Sequence, residues 1–185
     1  LAARLGDGAV YLGSLSKVLA PGLRLGYVLA PPALFPKLLQ AKQAADLHTP
    51  GFNQRLAYEV LKDGFLARHL PAVRERYRAQ RDAMQAALER HWRDLPGGGA
   101  HWVRPAGGMF FWVTLPAALD SAALLPRAVD AGVAYVPGAA FYPVGGGSAP
   151  APVNTLRLSF VTVAPAQIEA AIATLGRVFR EALQR

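Results

Sequence analysis

Apolar positions are grouped at Val10, Tyr11 and Leu12, and they alternate at Leu23, Leu25, Tyr27 and Leu29. The first group predicts a short buried strand over residues 9–12, and the alternation predicts a second strand over 23–30, with Pro21-Gly22 as the loop before it. Pro31-Pro32 suits a helix start, so Leu34, Leu38 and Leu39 predict a helix from Pro32 to about Ala45. His48-Thr49-Pro50-Gly51 is a break. Leu56, Val60 and Leu61 then form the apolar face of a helix over residues 53–62, closed by Asp63-Gly64.

A single helical pattern covers residues 66–92, with Leu70, Val73, Tyr77, Met84 and Leu88 at spacings that are mostly three or four. Gln80 and Arg81 interrupt the stripe, and Pro71 suits the first turn. At a rise of about 1.5 Å per residue, such a helix is long enough to link two domains. Pro96-Gly97-Gly98-Gly99 reads as a flexible connector, and the pattern changes beyond it. Residues 101–115 are strand-rich with a kink at Gly107-Gly108, 121–131 predict a helix ended by Gly132, and 133–136 predict a strand. Residues 154–161 alternate cleanly, and 165–183 predict an amphipathic helix with Ile168, Ile172, Leu175, Phe179 and Leu183 on one face. Strands with helices on one side predict an α+β second domain. Residues 145–150 read as a loop whose glycines lack the spacing of a phosphate cradle.

Composition narrows the picture. The chain has 185 residues, 52% of them hydrophobic, enough for one large domain or two small ones with a real core. It has no cysteine, which excludes a disulfide framework and any cysteine ligand or nucleophile. No apolar run approaches the ~20 residues that span a bilayer, and no signal peptide is visible. The first residue is Leu, and strand-like sequence follows almost at once, so the chain is expected to be part of a longer polypeptide. The net charge is +8, much of it from Arg68, Arg74, Arg76, Arg78, Arg81, Arg90 and Arg93. Interspersed Glu75, Asp82 and Glu89, with no aromatic interleaving, favour a solvated helix face over a nucleic-acid patch.

Two stretches carry chemistry. Ser14-Leu15-Ser16-Lys17 is a small polar turn between two apolar strands, with Arg24 close behind. Two strands enclosing cations and hydroxyls point to an anionic ligand. An amine kept partly out of water is a nucleophile that condenses with an aldehyde. The hydroxyls and the rigid guanidinium fork suit a phosphate. Pyridoxal phosphate combines both groups. In Thr155-Leu156-Arg157-Leu158-Ser159-Phe160, the apolar residues share one face, and Arg157 and Ser159 share the other. Taken alone, that alternation is commonest for a strand with one wet face. Phe111 and Phe141 read as packing residues, and His48, His69, His91 and His101 are too scattered for a metal site.

The segment "YLGSLSKVLAPGLRLGYVLAP" resembles the lysine motif of fold-type I pyridoxal-phosphate-dependent aminotransferases of class I/II. "HTPGFNQ", "PAGGMFFWVTLP", "GVAYVPGAAFYP" and "NTLRLSF" resemble later motifs of the same family, in the same order, and the likeness is nearest to the α-aminoadipate/kynurenine type. The resemblance implies an α/β fold: the C-terminal part of a pyridoxal-phosphate-dependent transferase, ending a mostly parallel large-domain sheet in residues 1–65, with a long inter-domain helix over 66–93 and a small α+β domain over 94–185. It implies that Lys17 binds the cofactor covalently and acts as the catalytic base. Ser14, Ser16 and Arg24 would serve the cofactor phosphate, and Arg157 the substrate carboxylate. Thr49 and Pro50 would reach toward a neighbouring subunit. The implied activity is transamination between an amino acid and a 2-oxo acid by a cytoplasmic homodimer, with no metal, no membrane, and no nucleic acid unless a DNA-binding domain lies upstream.

The family's large domain begins well before Leu1 and supplies the contacts to the cofactor ring, so the chain taken alone is expected to be inactive. Ala139 stands where many relatives carry a polar residue, which removes a side-chain contact there. Two alternatives stay open: an aminotransferase-like effector domain of a winged-helix regulator, and another pyridoxal-phosphate reaction such as decarboxylation or β-elimination.

Overall fold

The computed structural model describes residues 6–143 and 150–184. The chain divides into two compact units, Leu1–Ala72 and Val73–Arg185.

In the first unit, β1 (Tyr11–Ser14) and β2 (Gly26–Leu29) form an antiparallel hairpin, with Tyr11 opposite Leu29 and Ser14 opposite Gly26. α1 (Phe35–Asp46) and α2 (Gly51–Leu61) follow. α1 begins at Phe35 rather than Pro32 because the preceding residues close as a turn, the Leu34 N–H donating to Pro31 O at 2.9 Å. The strand expected to be buried at residues 9–12 is exposed instead, with Leu12 73% accessible. The physical reason is that the described sheet has only two strands, and a lone hairpin offers its side chains little to pack against. Every strand pair among the described residues is antiparallel.

α3 (Phe65–His91) carries the division between the units, which falls between Ala72 and Val73. Pro71 is its seventh residue, beyond the first turn, and lacks the N–H that would bond to the carbonyl four residues back.

The second unit holds a four-stranded antiparallel sheet in the order β3-β4-β6-β5. Its strands are β3 (His101–Trp102), β4 (Phe110–Thr114), β5 (Val136–Pro137) and β6 (Thr155–Ser159). α4 (Ser121–Asp130) and α5 (Pro165–Leu183) complete the unit. The buried apolar positions of β4 and β6 are Phe111, Val113, Leu156 and Leu158. They join Leu88 and Trp92 with Ile168, Ile172, Leu175 and Phe179 of α5 in one core. The alternation of β6 and the apolar stripe of α5 are therefore two walls of one interior.

Local details depart from the pattern for identifiable reasons. Gln80, which breaks the stripe of α3, is buried, and its amide donates to Val163 O at 2.7 Å. The stretch 96–99 is a closed turn rather than a loose connector: the Gly99 N–H donates to Leu95 O at 2.8 Å and the Ala100 N–H to Trp92 O at 3.0 Å. A side chain at Gly99 would meet Arg93 O at 2.0 Å, so only glycine fits. The strand expected at 133–136 shrinks to Val136–Pro137, because the Val133 N–H is taken by Ala128 O at 2.9 Å, at the end of α4. Along α3, Arg78 pairs with Glu75 and Arg81 with Asp82, and just past its end Arg93 pairs back with Glu89. The loop read at 145–150 lies, Pro150 excepted, outside the described residues. No described helix is long and apolar enough to cross a membrane.

Candidate functional site

The chain leaves β1 at Ser14, whose Oγ accepts the Ser16 N–H at 3.2 Å. The Leu15 N–H donates to Leu25 O at 3.0 Å, and the Leu19 N–H closes back on Leu15 O at 2.9 Å. These bonds fold Ser14, Ser16 and Lys17 into one turn tied to the strand that follows Arg24. A 3-10 turn, Pro21–Leu23, delivers Arg24 in the left-handed region at φ 53°, its N–H donating to Pro21 O at 3.2 Å. A non-glycine residue held there costs about 1–2 kcal/mol. The Arg24 guanidinium also donates to Pro21 O, at 3.2 Å.

Lys17, Ser14 and Arg24 are exposed, not enclosed between strands as the pattern implied. The cause is again the two-stranded sheet, which leaves the turn uncovered. No ion pair among the described residues uses Lys17 or Arg24. A free amine, two hydroxyls and a guanidinium in neighbouring turns form a donor set that fits a ligand carrying both a carbonyl and a phosphate.

Arg157 belongs to the second unit. It lies in β6, opposite Trp112 of β4 on one side and Val136 of β5 on the other. Its guanidinium carbon sits 4.1 Å from the centre of the Phe110 ring and 4.5 Å from that of Phe141. Trp112 meets Phe141 edge-on, 5.5 Å between centres at 80°. An open cleft of about 150 Å³ is lined by Phe110, Ala134, Tyr135, Val136, Arg157 and Ser159. No described carboxylate pairs with Arg157. Phe111 packs in the core against Phe160, whereas Phe141 is 46% exposed and packs on the Arg157 guanidinium and the Trp112 ring. Phe110 and Trp112 lie on the opposite face of β4 from buried Phe111 and Val113, and that period of two was the available signal for them.

Residues 2–175 match the family described as Aminotransferase class I and II. The chain belongs to this family. Among curated aminotransferases it is 46% identical over 173 residues to the 2-aminoadipate transaminase of Thermus thermophilus, covering 94% of this chain and 41% of the relative. The fold superposes with a TM-score of 0.87, at 42% identity, on LysN, an α-aminoadipate aminotransferase of the same organism solved with N-(5'-phosphopyridoxyl)-L-leucine; the match covers 99% of this chain and 45% of that one. It is also 28% identical over 176 residues to an uncharacterized HTH-type transcriptional regulator, YdfD, of Bacillus subtilis, covering 95% of this chain and 34% of the regulator. The chain thus spans about 41% of the length of its aminotransferase relative.

Proposed function

We propose that the full-length protein is a pyridoxal-phosphate-dependent aminotransferase exchanging an amino group between an amino acid and a 2-oxo acid. The observation that carries this reading is the turn in which Ser14, Ser16 and Lys17 gather beside Arg24, within a chain of this family. When bound, the cofactor supplies an aldehyde for the amine and a ring that stabilises negative charge at the substrate α-carbon. Lys17 Nζ holds the cofactor. With its amine free, Lys17 would take the substrate α-proton and redeliver it, first as base and then as acid. The Ser14 hydroxyl and the Arg24 fork bind the phosphate, with the Ser16 hydroxyl next to them. Arg157 receives the substrate α-carboxylate on two parallel N–H donors.

In the same reading, residues 1–65 close the large cofactor domain, 66–93 form the linking helix, and 94–185 form the small domain. Thr49 and Pro50 reach the neighbouring subunit of a cytoplasmic homodimer. Borohydride reduction of the full-length holoprotein, followed by peptide mapping, tests the assignment. The pyridoxyl group is expected on Lys17, and a label on any other lysine would sink it.

The similarity to YdfD favours a second reading, in which this chain is the effector domain of a DNA-binding regulator. A helix-turn-helix domain encoded upstream of Leu1, together with no turnover of any amino acid by the purified protein, would select it.

A further inference from the structure

We propose that Phe141 and Phe110 are positioning residues: their rings hold the Arg157 guanidinium by its faces and leave its N–H edge open for a carboxylate. The inference rests on the role of Arg157 proposed above. A guanidinium is flat, with donors around its edge and none on its faces. A protein carboxylate would fix it by occupying the same edge that a substrate needs. Ring faces attract the cation through their quadrupole and leave the edge unused.

The structure takes the second route. The guanidinium carbon lies over Phe110 at 4.1 Å and over Phe141 at 4.5 Å, and no described acid pairs with it. The bracket is assembled from distant parts of the sequence. Phe110 comes from β4, and Phe141 ends the 3-10 turn Gly138–Phe141. Trp112, opposite Arg157 in the sheet, backs Phe141 edge-on at 5.5 Å. All of this lies within the second unit.

The experiment uses the full-length holoenzyme and two readouts. The first is the calorimetric Kd of hexanoate, a carboxylate without an amine to react with the cofactor. The second is KM and kcat for an amino acid the enzyme turns over. Phe141→Leu should raise both the hexanoate Kd and the amino-acid KM by roughly three- to thirtyfold. It should leave kcat and the cofactor absorbance near wild type, and Phe141→Tyr should restore both constants. Phe110→Leu is an independent probe that should act in the same direction, and it decides the matter if Phe141→Leu fails to fold. Wild-type Kd and KM in the leucine variants would overturn the proposal. So would a fall in kcat with KM unmoved, or a tyrosine variant as impaired as the leucine one. Arg157→Lys separates the two levels. If it weakens hexanoate while the leucine variants do not, only the positioning role is lost. If it too leaves hexanoate binding unchanged, the anchoring role of Arg157 falls and the positioning role with it.

Discussion

Gly138→Ala should damage this protein more than its single added methyl suggests. Gly138 opens the 3-10 turn that carries Phe141, and it lies against Thr155 of β6. A Cβ there would stand 2.0 Å from Thr155 Oγ1, 2.7 Å from its Cβ and 2.9 Å from its carbonyl carbon. Thr155 has little freedom to retreat. It pairs with Thr114 of β4, its carbonyl accepts the Ser121 hydroxyl at 2.7 Å, and its own hydroxyl donates to Pro152 O at 3.2 Å. The turn must therefore move, by more than about 1 Å to reach ordinary contact. Overpacking of this kind costs about 1–3 kcal/mol. The upper half of that range is expected because one of the obstructing atoms belongs to the backbone.

For a unit of this size, each kcal/mol lowers the thermal midpoint by about 4 °C, so a fall of about 8–12 °C follows. The same movement draws Phe141 away from Arg157, so KM for the amino acid should rise as well. The assay is urea unfolding at fixed m, in a double-mutant cycle with Thr155→Ala. Removing the hydroxyl relieves the closest collision but leaves the other two, so rescue should be partial, with a coupling of at least about 0.5 kcal/mol. An unchanged urea midpoint in Gly138→Ala, or strictly additive single effects, would refute the packing argument.

Two further outcomes follow from named groups. Arg157→Lys should lower kcat/KM for an amino acid by roughly ten- to over a hundredfold, since an ammonium replaces a two-pronged donor. The thermal midpoint should hold, because Leu156, Leu158 and Phe160 still fill the core, and unchanged turnover would remove Arg157 from the site. Burial, followed by the charge of Asp120, pushes the Tyr135 phenol up to about 12. An unfolded tyrosine ionises near pH 10, so the stability Tyr135 contributes is complete below about pH 10 and is lost between about pH 10 and 12. Tyr135→Phe should flatten that alkaline decline in urea midpoints, at a cost of about 0.5–1.5 kcal/mol for the hydrogen bond to Ser121 O at neutral pH, and the same slope in the variant would contradict it.

Much of the second unit was legible in the sequence, because its pattern is enforced locally. The stripe of residues 165–183 became the helix Pro165–Leu183, and the alternation around Arg157 became β6, since each buries one face in a core the unit supplies itself. The chemistry-bearing residue types were legible too: a lysine and two serines in a turn, with an arginine close behind, need no tertiary information to suggest a carbonyl and a phosphate. Tertiary structure decided what periodicity does not encode. Val10 to Leu12 read as buried because they are apolar, but burial depends on what lies over them, and within this chain, which spans about 41% of its aminotransferase relative, the described sheet around them has only two strands. Gln80 broke an apolar stripe on paper, yet it belongs to the interior, because Val163 O waits 83 positions away in the chain. The aromatic bracket of Arg157 joins β4, β6 and the turn ending at Phe141, and only strand pairing sets those segments side by side.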